Sequence, residues 1–552
     1  MESKKIISWM YMFGLGLMIA SIPLSKFMMS VSQFFLSGTL VIDFINREKT
    51  LSLFRRESWK TDLLLIPTGI YLIFESIARI FITFYRRENM PAIIFSSLFL
   101  LHILGLAYTT DFDYALKDIR IKLPVFILPI IISVSPSLDY KKFRFLMLLF
   151  SLAVIAGTLI STQIMLTQNL TDPRHFSIFI SHIRFSLLIV FAVYILIYFA
   201  SRKNEFKNSM RIIMALLAIW LAYYLFLSAF MTGLIILTAT LIIYAVIKLF
   251  MSGSLIFRIL IPAGILVVLV IMTVFVSGVV RDVYRSEPVD FSQLDKKTAQ
   301  GNLYWHDTTL REVENGHYVW IYISSRELKE AWNKRSKLDF DGKDEQGQDL
   351  KFTLLRFLTS KGYRKDAEGV NKLSNEEVRL VEQGVASIVY HERSNFYVRV
   401  YKMIWGFKQY MVSRDPSGMS FLQRVEYWRV SLGIIDKHWI TGVGTGDLNI
   451  AFEKQYKEMK SPLPKAFQWR SHNQFLAVFI AFGIFGLAWF LVTLIYPPLK
   501  LKMFNDYFYL IFFIIITLSM LTEDTLETQA GATIFAFFSS LLLFGRKWKL
   551  KA

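Results

Sequence analysis

The chain contains no cysteine in 552 residues, which excludes disulfides, thiolate nucleophiles and cysteine-based zinc sites. Histidines number only eight and none share an H-x-x-x-H spacing, so a zinc site lacks its usual ligand pattern and no metal is expected. The Gly442-Val443-Gly444-Thr445-Gly446-Asp447 stretch is not G-x-G-x-x-G, follows an expected helix and has no βαβ unit around it. A dinucleotide site is therefore not expected. The first apolar run has no small-residue cleavage site and a second run follows at once, so no cleavable signal peptide is expected. Acidic residues are outnumbered, 43 against 62 Lys and Arg, for a formal charge of +19.

Apolar residues make up 54% of the chain, with 49 Phe, 25 Tyr and 12 Trp. That is more apolar surface than one water-soluble core can bury, so an all-α polytopic membrane protein is expected. Runs near 6–24, 28–44, 91–108, 122–136, 144–162, 184–201, 211–228, 230–249, 258–280, 473–496, 507–521 and 531–544 predict about twelve spans. Much of the basic excess lies in short connections: Lys4 and Lys5, Arg47 to Lys60, Arg202 to Arg211, Lys500 and Lys502, and Arg546 to Lys551. Positive-inside bias explains this more simply than nucleic-acid binding, and it puts both termini in the cytoplasm. Residues 63–84 are apolar but carry Glu75 and Arg79 between basic flanks, and are read as a helix in the cytoplasmic interface.

This divides the chain into an N-terminal bundle of about nine spans over 1–280, a polar segment, and about three C-terminal spans over 472–552. By that topology the polar segment is extracytoplasmic. Its first part, 281–395, reads as an α+β insertion: 317–323 (HYVWIYI) alternates like a strand, helices are expected over Ser324 to Lys334 and Leu350 to Ser360, and Ser374-x-x-Glu377 is a capping box. The alternating Tyr318, Trp320 and Tyr322 suit stacking on sugar rings or packing on neighbouring helices. The second part, 396–471, is expected to be helical over 396–412, 421–440 and 447–460. A loop of this length suggests a functional cap over a membrane cavity.

The candidate chemistry lies at Arg470-Ser471-His472-Asn473-Gln474-Phe475-Leu476, where the polar segment opens into an apolar helix. Arg and His are costly to desolvate at a membrane surface, and an anionic lipid-linked substrate supplies a reason for them. An imidazole titrates near neutrality, so His472 suits the role of a base toward a hydroxyl. Arg424 and Trp428 share one face of a helix in 420–430, and Arg suits a two-point grip on phosphate. Arg184 stands at the outer mouth of a span, where it either snorkels to headgroups or meets a substrate. Gly444 and Gly446 permit close backbone approach, as pocket wall or as plain turn. Glu523, Asp524 and Glu527 form an acidic cluster on a short outer loop, read first as a solvated turn and second as a metal or acceptor contact.

The ordered set of GVGTGD, RSHNQFL, AFGIFG (481–486), SFLQRVEYW (420–428) and SHIRF (181–185) resembles the O-antigen ligase and O-antigen polymerase family across most of the chain. That resemblance implies a GT-C type membrane glycosyltransferase without metal or other cofactor, in a bacterial inner membrane with its site facing the periplasm. Its donor would be a glycan on undecaprenyl pyrophosphate, and its acceptor a lipid A core or related glycan hydroxyl, with inversion at the anomeric carbon. His472 takes the place of the catalytic histidine, Arg424 and Arg184 those of the donor-pyrophosphate arginines, with Arg470, Asn473, Gly444 and Gly446 in support. A polymerase extending the carrier-linked chain and a protein-directed oligosaccharide transferase are the nearest alternatives. A flippase for the same lipid is the rival from another class, although the conspicuous charges cluster at the outer rim and no repeat is evident.

Overall fold

The computed structural model describes residues 2–47, 62–167, 173–251 and 255–548. Helices run over Glu2–Leu24 (α1), Lys26–Arg47 (α2), Asp62–Phe84 (α3), Met90–Leu104 (α4), Phe112–Val134 (α5), Tyr140–Thr167 (α6), Pro173–Phe176 (α7), His182–Ala200 (α8), Asn208–Leu227 (α9), Met231–Met251 (α10) and Leu255–Tyr284 (α11). The polar segment holds β1 (Val313–Glu314), β2 (His317–Tyr318), α12 (Ser325–Arg335), α13 (Leu350–Ser360), α14 (Ala367–Asn371), α15 (Asn375–Glu382), α16 (Val389–Glu392), α17 (Asn395–Ser413), α18 (Ser420–His438) and α19 (Leu448–Glu458). The chain ends in α20 (Gln474–Lys500), α21 (Tyr507–Met520) and α22 (Gln529–Leu543). Among the described residues, nine helices are long and apolar enough to cross a bilayer, and α21 and α22 are shorter apolar helices. This is an all-α polytopic membrane protein. The basic stretch over 48–60 and residues 549–551 lie outside the described residues.

The chain forms two compact units. The first comprises Met1–Phe226, Phe230–Phe250 and Asp415–Ala552; the second comprises Leu227–Ala229 and Met251–Arg414. In a bilayer, lipid is as apolar as Leu, so close packing rather than escape from water holds helices together. The first unit meets this with aromatic rings: Phe150 lies 5.0 Å from Phe538, Phe191 5.4 Å from Phe512, and Phe95 5.2 Å from Phe535. Such pairs contribute about 0.5–1.5 kcal/mol each beyond area burial.

A break in α20 positions the loop that precedes it. Gly483 sits at φ +64 inside the helix, which frees backbone groups that a membrane cannot solvate. The Gly-rich turn satisfies them: Val443 N–H donates to Ile480 O (2.9 Å), Gly444 N–H to Ala481 O (2.9 Å), and Ile484 N–H to Trp439 O (2.8 Å). A Cβ on Gly442 would stand 2.4 Å from the Ala481 carbonyl, and one on Gly483 2.0 Å from Ile440 O. Two backbones touch here, and glycine is what permits it.

The second unit has its own core, in which Trp332, Leu350, Leu354, Phe357, Leu358 and Val370 are buried together. It includes α11 and α17, which pack on each other, and so reaches beyond 281–395 at both ends. The Ser374 capping box is present in full. The strand expected over 317–323 stops at Tyr318, the chain turns at 319–320, and Tyr322 at φ +57 lies outside the extended region. Trp320 donates its indole N–H to Glu312 (2.9 Å) and packs edge-on to Phe352, while Tyr318 meets Phe291. These three rings thus do not form one exposed face.

Candidate functional site

His472 stands immediately before α20, held in the left-handed region at φ +44. Both of its neighbours are tied down. Asn473 caps the helix, its Oδ1 accepting from the N–H groups of Phe475 (3.0 Å) and Leu476 (3.1 Å), and its amide donates to Leu521 O (3.0 Å). Ser471 donates to Asp524 Oδ1 (3.1 Å), and its carbonyl accepts from the Trp428 indole (3.0 Å).

Arg424 and Trp428 lie one turn apart on α18, Trp428 holding Ser471 and Arg424 reaching the loop 521–528. Arg424 donates to Glu523 Oε1 (2.7 Å) and Thr522 O (3.2 Å). The other oxygen of Glu523 lies 3.8 Å from His472 Nδ1, an electrostatic contact that a closure of about 1 Å would turn into a hydrogen bond. Tyr427 flanks the imidazole, ring centres 5.5 Å apart. Arg184, at the N-terminal end of α8, lines a small cleft with Glu523, Thr525 and Gly531. Its Nη1 donates to Ser181 (3.0 Å), while its Nε is buried without a hydrogen-bond partner. Three chain-distant cationic or basic side chains therefore gather around one carboxylate.

The acidic turn corrects the sequence reading. Glu523 is 8% exposed rather than solvated, and a buried carboxylate needs partners. Burial draws its carboxyl upward, but His472 and Arg424 outweigh that and hold it below the usual carboxylate range. Asp524 goes the other way: burial pushes it up, against Arg470 and His472. Arg470 contacts Glu527 (3.4 Å) and the Tyr114 hydroxyl; burial opposes its charge, and Glu527, Tyr114 and Asp524 restore it and raise it above the ordinary guanidinium value. Sequence reasoning thus found the acidic residues of the 521–528 loop but favoured a solvated turn for them, and missed their pairing with Arg424, Arg470 and His472.

Gly444 and Gly446 lie apart from these charges, against the α4–α5 connection. A Cβ on Gly444 would be 2.7 Å from Thr109 Oγ1, and one on Gly446 2.1 Å from Asp111 O. Asp447 accepts from Thr110 N–H (3.0 Å) and Asp111 N–H (2.8 Å), so this turn acts as a joint between segments.

Residues 384–491 match the family model described as O-antigen ligase. That stretch is similar to the O-antigen ligase family. Comparison with curated proteins returns no match. The matched stretch contains Arg424, Gly444, Gly446, Arg470, His472 and Asn473, whereas Arg184 and the 521–528 loop lie outside it. The resemblance read from the motifs is thereby supported by a match that includes the GVGTGD and RSHNQFL stretches.

Proposed function

We propose that this protein is a GT-C type glycosyltransferase that moves a polysaccharide from undecaprenyl pyrophosphate to a lipid A core hydroxyl, or a related acceptor, on the periplasmic face of a bacterial inner membrane. The reading is supported above all by the gathering of Arg184, Arg424 and His472 around Glu523 at the mouth of the bundle. The O-antigen ligase match supports the class of reaction.

The chemistry asks for two things. An acceptor hydroxyl attacks the anomeric carbon, the bond from that carbon to the pyrophosphate oxygen breaks, and the pyrophosphate leaves with the electron pair. Cations on the leaving group stabilise the growing charge, and a base receives the hydroxyl proton. Arg184 and Arg424 supply the first and His472 the second. Attack opposite the leaving group inverts the anomeric configuration. Glu523 beside Nδ1 favours the tautomer that leaves Nε2 as proton acceptor.

The test uses purified protein with a synthetic carrier-linked donor and a core oligosaccharide acceptor. Transfer by wild type and a fall of roughly a hundredfold or more in kcat for His472→Ala are expected. Wild-type transfer by the variant would remove His472 from the chemistry. Product that grows only on the carrier would select the polymerase reading.

A further inference from the structure

Four titratable side chains lie inside the bundle, at a distance from the reacting groups. Lys122 is 1% exposed, Asp118 2% and His102 5%. Lys122 donates to Asp118 and stands 3.1 Å from Glu527 Oε1, and His102 Nδ1 lies 3.1 Å from Asp118 Oδ2. A second small cavity borders this group. Apolar side chains of similar volume generally stabilise a core as well as a buried ion cluster does, so stability does not account for these charges.

Their connection offers a reason. The two oxygens of Glu527 are divided between two cations: Oε1 faces Lys122, and Oε2 faces Arg470 at 3.4 Å. Arg470 begins the segment whose third residue, His472, holds a left-handed backbone that a non-glycine residue adopts only under outside constraint. With Lys122 in place the carboxylate cannot rotate, so Arg470 has one fixed partner. Without it, Glu527 is held from the Arg470 side alone, and the segment is anchored less firmly.

We propose that Lys122 is a positioning residue for the transfer reaction, acting through Glu527 and Arg470 to fix segment 470–472 and with it the imidazole of His472. The proposal rests on the reading of His472 as the base.

Lys122→Met alone would strand two buried carboxylates and endanger folding. The charge-balanced double variant Lys122→Met/Asp118→Asn removes the inner pair and leaves Glu527 and Arg470 intact. In the full chain in lipid nanodiscs, it is expected to melt close to wild type and to bind donor with an unchanged KM. Its kcat should fall roughly ten- to a hundredfold, the scale of a small misplacement of a reacting group. Hydrogen–deuterium exchange over a peptide spanning 468–474 should be faster, since a loosened segment opens more often. Exchange at the wild-type rate would overturn the proposal, as would faster exchange with wild-type kcat. Exchange is read without donor, so a failure of the positioning claim, unchanged exchange, is distinct from a failure of the transferase reading, in which wild type itself transfers nothing.

Discussion

Glu523→Gln is the sharpest probe of the site, because it removes one charge and almost no volume. In the wild type Glu523 accepts a charge-assisted bond from Arg424 at 2.7 Å and faces His472 at 3.8 Å, with Arg424 a quarter exposed. A bond to an ionised partner contributes about 1.5–3 kcal/mol and a neutral one about 1 kcal/mol. The amide therefore forfeits about 1–2 kcal/mol, less than the roughly 3–5 kcal/mol of breaking a fully buried pair, because water reaches Arg424. Arg424 and His472 lose their common anchor, and kcat should fall roughly ten- to a hundredfold. Transfer from a synthetic donor by purified protein measures the rate, and thermal unfolding in the same lipid measures the stability. Unchanged values in both would show that Glu523 organises nothing. Faster transfer would refute the reasoning in another way, by showing that Glu523 competes with the donor phosphate for Arg424.

Arg184→Ala is expected to raise the donor KM by about ten- to a hundredfold, the loss of one charge-assisted contact, with a smaller effect on kcat; equal KM values would remove Arg184 from the donor site. Gly483→Ala should destabilise the protein by about 2–4 kcal/mol, since a left-handed Ala is strained and its Cβ would meet Ile440 O at 2.0 Å. A melting temperature equal to wild type would contradict the account of the broken helix. The Glu523 carboxyl titrates below its ordinary 4.5, so its contribution is complete above that value and is lost as pH falls through the depressed one. The melting-temperature difference between wild type and Glu523→Gln should therefore shrink on acidification below 4.5, and a constant difference would exclude ionisation as its source.

Much of the fold was legible because its signals are local. Apolar runs predict helices directly, since backbone polar groups in lipid must be satisfied within the segment, and every predicted span coincides with a helix. The capping box at Ser374 and the helices at 350–360 and 420–438 follow from spacing of the same short range. Residues 317–323 misled because alternation describes only which side chains could share a face. The turn of Tyr322 to positive φ depends on contacts with Tyr304 and His306 that alternation cannot report.

The site divides along the same line. His472 and Arg184 were nameable because basic groups at the mouth of apolar helices are costly and therefore conspicuous, and Arg424 because it shares a helix face with Trp428 inside a family-like motif. Glu523 was not, since an acidic residue in a short outer turn reads as solvated until the cations that bury it are located. The basic side chains come from α8, α18 and the residues just before α20, so only folding brings them together. The same reasoning explains why Gly444 and Gly446 were ambiguous. A glycine states that something comes close, and only the structure says that it is Thr109 and Asp111 of the same chain. In a membrane protein an isolated charge is thus a strong pointer to a site, whereas the counter-charge that organises it becomes visible only when the helices are assembled.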